Sequence, residues 1–345
     1  MEHNNSIVLK ILAILLPIDF FIINSIKINS KFMEFYTYNY YAFSKLKIWF
    51  FSFFKYSIGD IFYLLSFFLL IYFLLKRRVY YKYFISSIFI EITACLSLIY
   101  LFFQLNWGLN YFQEPITLKL GVDKSYSITK LENTLDHLIN QSNSLHKSLS
   151  LNDSVPLIFP FNKKEIKNKL NAETNLLVKN SILSKPISYM GYSGYLNPFT
   201  LEAHVNENIP IISYITTIIH EQTHQKGIAA ENEANFLTYK QATENQNQYI
   251  QFAGYTFALR YCMFELHKRN NEKFLKFSNK ISPGVKKNLK VIDEFWREHK
   301  NPFYSIFDFI YDKFLKINSQ KSGTLSYNEM VALVIFDYEK EFLEL

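Results

Sequence analysis

Cysteine, glycine and proline are all scarce in this chain of 345 residues. The two cysteines, Cys95 and Cys262, exclude a disulfide framework and a cysteine-type zinc site, because Cys95 lies in an apolar run predicted to be in a membrane. Nine glycines and nine prolines argue against a disordered chain or an all-β chain with many turns. The net charge is +7, but the lysines and arginines form no compact basic block, so no nucleic-acid partner is predicted.

Aromatic residues are abundant instead, at 18% of the chain, which indicates lipid-facing segments. Three apolar stretches precede residue 106, and each approaches the roughly 20 helical residues that cross a bilayer core of about 30 Å. The first is the weakest, and because no small-x-small cleavage site follows it, we interpret it as an uncleaved anchor rather than a signal sequence. The third carries Glu91, which is expected to face a partner helix or the interface. We predict a membrane domain over residues 1–106, with about three transmembrane helices at about 7–26, 58–75 and 83–105.

The loop between the second and third stretches sets the predicted orientation. Lys76, Arg77, Arg78 and Lys82 place four positive charges in this short loop, and such loops stay in the cytoplasm. The chain after residue 105 is then outside, although five lysines in the segment 27–57, also assigned to the outside, weaken the argument. We predict a multi-pass protein of the cytoplasmic (inner) membrane, with the lipid bilayer as a partner and an extracytoplasmic domain over residues 107–345.

The second domain has mainly helical patterns. A capping box is predicted at 129–132, and the pattern at 162–165 is expected to open a second helix. Between residues 184 and 206, prolines and glycines separate short aromatic pieces, which indicates turns and one or two extended segments. The segment Tyr249–Leu266 is apolar nearly all round, and we interpret it as a buried core helix, with a fourth span as the alternative.

An HExxH motif within Ile218–Gly227 is the sharpest functional signal. His220 and His224 are four residues apart, so on a helix they lie about 40° apart on one face and can converge on one ion. Neutral imidazole suits Zn²⁺, and zinc is therefore the predicted cofactor. Glu221 sits beside the first ligand, where it can take a proton from a zinc-activated water and pass it to a leaving amine. The apolar run 211–219 buries the back of this helix but is too short to span, which disfavours a site inside the bilayer.

A catalytic zinc site with three protein ligands needs one more histidine or carboxylate. Gly227 ends the motif helix, and the helix that follows opens with Glu231 and Glu233. Each helical residue advances about 100°, so Glu233 points roughly 200° away from Glu231 and only one of them can face the metal. Asn235 returns to the face of Glu231, where its amide can orient a histidine ring. We predict Glu231 as the third ligand, with Glu233 as the alternative if the first turn is not helical.

These motifs resemble those of a known group of proteins. HExxHxxG followed by ExEAN resembles the motifs of an uncharacterised family of bacterial membrane proteins that are predicted to be zincin-like metallopeptidases. The stretches Trp107–Tyr111 and Ser193–Ala203 are also similar to that family, so the resemblance covers most of the chain. It implies a zincin fold and a zinc ion, and no known substrate. The same element resembles the glutamate-bearing helix of gluzincins, which agrees with Glu231, although Asn235 stands where that helix more often has aspartate.

The predicted fold class is mainly α. About three transmembrane helices precede a mostly helical, zincin-like α+β domain with a small extended or edge-strand segment before the HExxH helix. Glu202 and His204 lie in that extended segment and are possible substrate-binding residues, with a solvated surface role as the favoured alternative. Tyr255 and Tyr261 are candidates for oxyanion contact, but a core role is favoured for both.

Two functions from different classes remain. The preferred one is a membrane-anchored, zinc-dependent metallopeptidase that hydrolyses a peptide or protein substrate, with the extended segment holding the substrate as an added strand. The alternative is a non-catalytic membrane protein whose structural zinc site staples two helices. Glu221 separates them, because a structural site gains nothing from a carboxylate there and favours a fourth protein ligand. A transporter is disfavoured, because three spans with one internal charge make a poor pathway.

Overall fold

The computed structural model describes residues 2–77 and 85–343. Within them the chain is mainly helical with one small sheet, as predicted, and it divides into two compact units. The first unit comprises residues 1–113 with 197–202, and the second comprises residues 114–196 with 203–345. The predicted boundary at residue 106, between a membrane domain and an extracytoplasmic domain, stays a prediction.

The first unit is built from helices α1 (Glu2–Lys27), α2 (Ser30–Ser52), α3 (Ile58–Arg77) and α4 (Ile85–Asn106), followed by a 3-10 helix (Gly108–Phe112). Helix α1 packs along α4. Ser97 of α4 donates a hydrogen bond of 2.6 Å to the buried carboxylate of Asp19 in α1, which satisfies a polar group inside this apolar pair. Helix α2 lies within the segment 27–57, for which no element is predicted from the sequence. The side chain of Asn29 caps this helix by accepting a hydrogen bond from the backbone N–H of Phe32.

Among the described residues, two helices are long and apolar enough to cross a membrane, over Val8–Lys27 and Phe89–Asn106. The expectation of three is corrected at the stretch 58–75, because the apolar part of α3 covers only Ile58–Phe73. Residues 78–82 of the basic loop and residues 83–84, at the start of the third predicted stretch, lie outside the described residues.

The second unit contains the remaining helices and all three strands of the described residues. Its helices are α5 (Ile116–Leu120), α6 (Ile128–Leu149), α7 (Lys163–Thr174), α8 (Ser184–Met190), α9 (Ile211–Gln225), α10 (Glu231–Thr243), α11 (Gln248–Arg269), α12 (Asn271–Lys280), α13 (Pro283–Glu298), α14 (Tyr304–Ile317) and α15 (Met330–Leu343), with a 3-10 helix at Gly323–Glu329. The strands are β1 (Val178–Asn180), β2 (Gly194–Leu196) and β3 (Ala203–Val205).

The sheet has the order β1-β3-β2, with β3 parallel to β1 and antiparallel to β2. Strands β2 and β3 confirm the extended segment expected between residues 184 and 206, whereas β1 was not predicted. Strand β3 is completely buried. Strand β2 forms an edge of the sheet within the described residues. This edge strand contacts α9, so the sheet lies beside the HExxH helix.

The hydrophobic core of this unit surrounds α9 and α11. Phe252 and Leu259 of α11 have no exposed surface, which confirms the buried core helix predicted over Tyr249–Leu266. The capping box at 162–165 is present. The one predicted at 129–132 is wrong, because α6 already begins at Ile128 and the hydroxyl of Ser127 accepts from the backbone N–H of Lys130.

Candidate metal centre

Helix α9 holds the two histidines of the motif at its C-terminal end. Its apolar side chains are buried in the core, as Ile215 and Ile218 show, and this fixes the rotation of the helix about its axis. His220 and His224 therefore project from one face, with ring centroids 4.5 Å apart and ring planes at 87°. The i, i+4 spacing in the sequence thus produces the predicted pair of neighbouring imidazoles.

A tight turn at Gly227 returns the chain to these histidines. Gly227 has φ of +95°, in the left-handed region where a Cβ is strained, and its N–H donates a hydrogen bond of 2.8 Å to the carbonyl of His224. Helix α10 then begins at Glu231. Because its first turn is helical, the condition under which Glu233 was the alternative ligand is not met.

Glu231 faces both histidines. Its Oε2 atom lies 3.3 Å from His220 Nε2 and 3.6 Å from His224 Nε2. One potential ligand atom from each of these three residues lies within 4.8 Å of the others, and the group is largely buried. Donors about 2.1 Å from a tetrahedral zinc ion lie roughly 3.4 Å apart, so the two measured separations fit such an ion.

Hydrogen bonding around the cluster also fits a metal ion. Glu231 Oε2 is buried and accepts no hydrogen bond from any described residue. His224 Nδ1 lies 2.7 Å from the carbonyl oxygen of Ile228. A carbonyl can only accept, so Nδ1 carries a proton, and in the neutral form of the ring Nε2 presents its lone pair toward Glu231. Two acceptors that face each other across this short distance require a cation between them or a proton on one of them.

The charges in the cluster are strongly coupled. Burial raises the pKa of Glu231, but the histidines, His224 first, outweigh this effect and hold that pKa far below its usual range. Burial opposes protonation of His224, yet the Glu231 carboxylate raises the pKa of His224 to about 9. The pKa of His220 is lowered, first by burial and then by His224. The buried Glu231 anion is therefore compensated by a proton on His224, and a metal ion bound by the cluster would take the place of that proton.

Glu221 lies between α9 and the edge strand β2. It is buried, and burial raises the pKa of its carboxyl to about 8. Its Oε2 atom has no hydrogen-bond partner among the described residues. The backbone of β2 approaches closely: a Cβ placed on Gly194 would lie 2.7 Å from Glu221 Oε1. Glycine at position 194 thus leaves room for a carboxylate that the fold does not otherwise engage.

The side chains of Tyr311 and Asn235 contact residues of the cluster. Tyr311 donates a hydrogen bond of 2.8 Å to Glu231 Oε1, a contact that no feature of the sequence predicts. Asn235 contacts His220, as expected for a residue that orients this ring, and its Nδ2 donates to the hydroxyl of Tyr261 at 3.3 Å. Tyr261 is thus tied to the cluster through Asn235.

The other predicted residues lie elsewhere. The carboxylate of Glu233 accepts a 2.7 Å hydrogen bond from the backbone N–H of Ile116 and takes no part in the cluster. Glu202 is buried in the first unit, where it accepts from the backbone N–H groups of Ile58 and Gly59. His204 is completely buried in β3 and stacks on Tyr195 at 4.6 Å.

The favoured surface role for Glu202 and His204 is therefore wrong, because the segment 197–206 is packed inside the protein and not laid over it. Their possible contact with substrate stays a prediction. Of the two candidate tyrosines, Tyr255 packs against the core as favoured. Tyr261 also packs there, and its hydroxyl additionally reaches the cluster.

The sequence matches one family model, described as "Protein of unknown function (DUF3810)", over residues 35–335. This range covers most of the chain and includes all of α9 and α10. No curated protein and no solved structure matches the chain. The zincin fold and the metallopeptidase activity implied by the motif resemblance stay predictions. The chain belongs to this family of unknown function.

Proposed function

We propose that the chain is a membrane-anchored, zinc-dependent metallopeptidase. The observation that carries the proposal is the convergence of His220, His224 and Glu231, with the buried carboxylate of Glu221 next to them. Two imidazoles and one carboxylate form a donor set typical of catalytic zinc sites, in which one coordination position stays open. A fourth protein ligand, which a structural site favours, is not found in the cluster among the described residues.

The proposed chemistry divides between the ion and the chain. A bound zinc ion would acidify a water molecule and polarise the scissile carbonyl. His220 and His224 supply neutral nitrogen donors, and Glu231 supplies the anionic one, held in place by Tyr311. Glu221 accepts the proton of the attacking water and then donates it to the leaving amine. Its position on α9, directly after His220, keeps the carboxylate beside the cluster throughout.

Strand β2 is the proposed binding place for the peptide backbone. It is an edge strand among the described residues, and edge strands bind extended peptides by adding a strand to the sheet. Gly194 of β2 lies against Glu221. A peptide that follows β2 would therefore pass the proposed general base, which supports hydrolysis of a peptide bond rather than of a small ester.

One observation favours the alternative, a structural zinc site that staples α9 to α10. Glu221, His224 and Glu231 are each less than a tenth exposed, and a catalytic site must admit its substrate. His220 keeps 13% of its side chain exposed, which leaves one approach to the cluster. The two functions differ in what they require of Glu221.

The deciding experiment is the substitution Glu221→Gln in the full chain, purified in detergent and loaded with zinc. We expect the variant to keep its zinc and its helical content but to lose peptide hydrolysis by about 10²–10⁴-fold, since general base catalysis typically contributes that much. Glu244→Gln is the matched control, because Glu244 lies on the surface and pairs with Lys240. Equal hydrolysis of a broad peptide library by wild type and Glu221→Gln contradicts the enzyme and favours the staple.

The proposed location is the cytoplasmic membrane, with residues after 106 outside the cytoplasm. This orientation needs only that α4 crosses the bilayer and that the basic loop 76–82 stays inside. A reporter fused after residue 345 should then be active on the outside, and one inserted near residue 79 on the inside. The opposite pattern of activities would invert the orientation.

A further inference from the structure

A cavity of about 560 Å³ lies in the second unit. Its basic residues come from the middle of α11 and from the C-terminal end of α13 with the residues after it. They are Arg260, Arg297, His299 and Lys300. No aspartate or glutamate lines the cavity within the described part of the chain. Its walls also include the aromatic side chains of Phe257, Trp296 and Tyr304.

This cavity adjoins the candidate metal centre. Thr217 lines it and lies one helical turn before Glu221 on α9. The methyl group of Thr217 and Oε1 of Glu221 both lie 2.7 Å from the position that a Cβ on Gly194 would occupy. Tyr261 also lines the cavity, and its hydroxyl accepts from Asn235, which contacts His220. A molecule that reaches the cluster can therefore extend a group into the cavity.

The positive charge of the cavity is only partly compensated. Arg260 pairs with Asp293 at 3.1 Å and Arg297 with Glu294 at 4.0 Å, but both carboxylates are solvent-accessible, and such exposed pairs are weak. No carboxylate of the described residues lies within 4 Å of Lys300, which is exposed. The C-terminus of α13 contributes a partial negative charge of about −0.5, which is small against three cationic side chains.

The ring of His299 is held in place in the wall of the cavity. Its Nδ1 lies 2.8 Å from the carbonyl oxygen of Phe295, and the ring packs on Phe295 at 4.2 Å between centroids. Nδ1 must therefore donate. The histidine is a fixed part of the wall, while the long side chains of Arg260, Arg297 and Lys300 can turn toward a ligand.

We propose that this cavity binds a carboxylate of the peptide substrate. The substrate residue that carries this carboxylate lies on the side of the scissile bond that is next to Glu221. The basic side chains of the wall bind the charge, and the aromatic side chains contact the aliphatic part of the residue that carries it. The carboxylate belongs either to an acidic side chain or to the C-terminus of the peptide. This inference rests on the proposed peptidase function, because it names the substrate class of the same site.

The test measures binding to the full, zinc-loaded chain carrying Glu221→Gln, so that bound peptide stays intact. Four labelled peptides of one sequence are compared: glutamate with an amidated C-terminus, glutamine with an amidated C-terminus, glutamine with a free C-terminus, and lysine with an amidated C-terminus. A carboxylate in the cavity should tighten binding by about 10-fold over the neutral peptide, as expected for a charge-assisted hydrogen bond. The first peptide reports an acidic side chain and the third a terminal carboxylate.

Substitutions in the cavity link this preference to the structure. Combined Arg260→Gln and Lys300→Gln changes should abolish the preference for a carboxylate. Lys290→Gln should keep it, since Lys290 lies on the same helix as Arg297 but outside the cavity and is mostly exposed. Zinc content and helical circular dichroism show that each variant is folded. Equal binding of all four peptides, or a preference that survives the double substitution, overturns the proposal.

Hydrolysis of the same peptides by the chain with Glu221 intact separates the two proposals. A carboxylate preference in binding without any hydrolysis keeps the cavity assignment and rejects the peptidase. Hydrolysis at equal rates for all four peptides keeps the peptidase and rejects the cavity assignment.

Discussion

The first turn of α10 presents two glutamates, two residues apart, to two different regions of the second unit. Glu231 lies among His220, His224 and Tyr311. Glu233 points away from them and accepts a hydrogen bond from the backbone N–H of Ile116, the first residue of α5. The same type of side chain is therefore a candidate metal ligand in one region, as Glu231, and a structural contact in the other, as Glu233.

The pKa shifts of the two glutamates depend on the neighbouring groups and not on the residue type. The pKa of Glu231 is held far below its usual range, because two histidines outweigh its burial. Burial raises the pKa of Glu233, and the backbone N–H of Ile116 and the nearby Lys119 offset this only in part. A carboxylate that stays ionised in a buried site suits a cation, whereas one that burial pushes toward neutrality does not.

The largest expected effect tests the region around Glu231 as a whole. His220→Ala and His224→Ala should each remove zinc from the full chain, because two remaining ligands cannot hold the ion against water. The measurement is zinc content after purification and desalting. His267→Ala is the control, since His267 lies on α11 away from the cluster and packs on Phe274. Full zinc occupancy in both cluster variants would end the metal hypothesis.

The next largest effect tests the difference between Glu231 and Glu233 directly. Glu231→Gln should weaken zinc binding by at least about 10–100-fold, since even a lost partner of a ligand typically costs that much. Glu233→Gln should leave the zinc affinity unchanged, because its carboxylate faces α5. Competition titration with a chelator measures both affinities in the same buffer. If Glu233→Gln loses zinc and Glu231→Gln keeps it, the roles of the two glutamates are reversed.

A smaller effect is expected at Tyr311. Its hydroxyl donates to Glu231 Oε1, so Tyr311→Phe removes the hydrogen bond that orients the ligand and keeps the ring in place. We expect a loss of zinc affinity of about 10-fold. Tyr338→Phe is the control, because Tyr338 packs on His137, outside the cluster. Equal affinities in the two variants would show that Tyr311 does not position Glu231.

The sequence was informative wherever a few neighbouring residues decide the geometry. Helical periodicity alone placed His220 and His224 on one face and separated Glu231 from Glu233. Gly227 marked the turn because its positive φ favours a residue without a Cβ. These features depend on contacts within about a dozen residues, so local rules were enough to predict the arrangement of the cluster.

Local sequence rules do not predict contacts between distant parts of the chain. Tyr311 reaches Glu231 across 80 residues, and nothing in the sequence near either residue indicates it. The sequence pattern predicts an extended, accessible segment around Glu202, but Glu202 accepts hydrogen bonds from the start of α3 in the first unit, more than 140 residues earlier. The predicted span at 58–75 is also corrected, because within the described residues this stretch is only a shorter apolar helix, Ile58–Phe73.

The smallest expected effect concerns Glu233, where the change should appear in stability and not in zinc binding. Glu233→Gln keeps an acceptor for the N–H of Ile116 but removes the charge that strengthens this hydrogen bond. The loss should be at most about 1 kcal/mol, the amount by which hydrogen bonds to charged groups exceed neutral ones, because the burial that raises the pKa of Glu233 already opposes its charged form. For a unit of this size that loss lowers the thermal midpoint by at most roughly 2–4 °C.

Scanning calorimetry or circular dichroism of the full chain, with zinc present, measures this shift. Glu244→Gln on the exposed end of the same helix should lower the midpoint less, because its pair with Lys240 is a surface ion pair. A midpoint for Glu233→Gln equal to that of wild type would mean that the contact with α5 contributes nothing. A midpoint that falls only when zinc is present would place Glu233 in the metal region instead, because a zinc ligand stabilises the fold only through the bound ion.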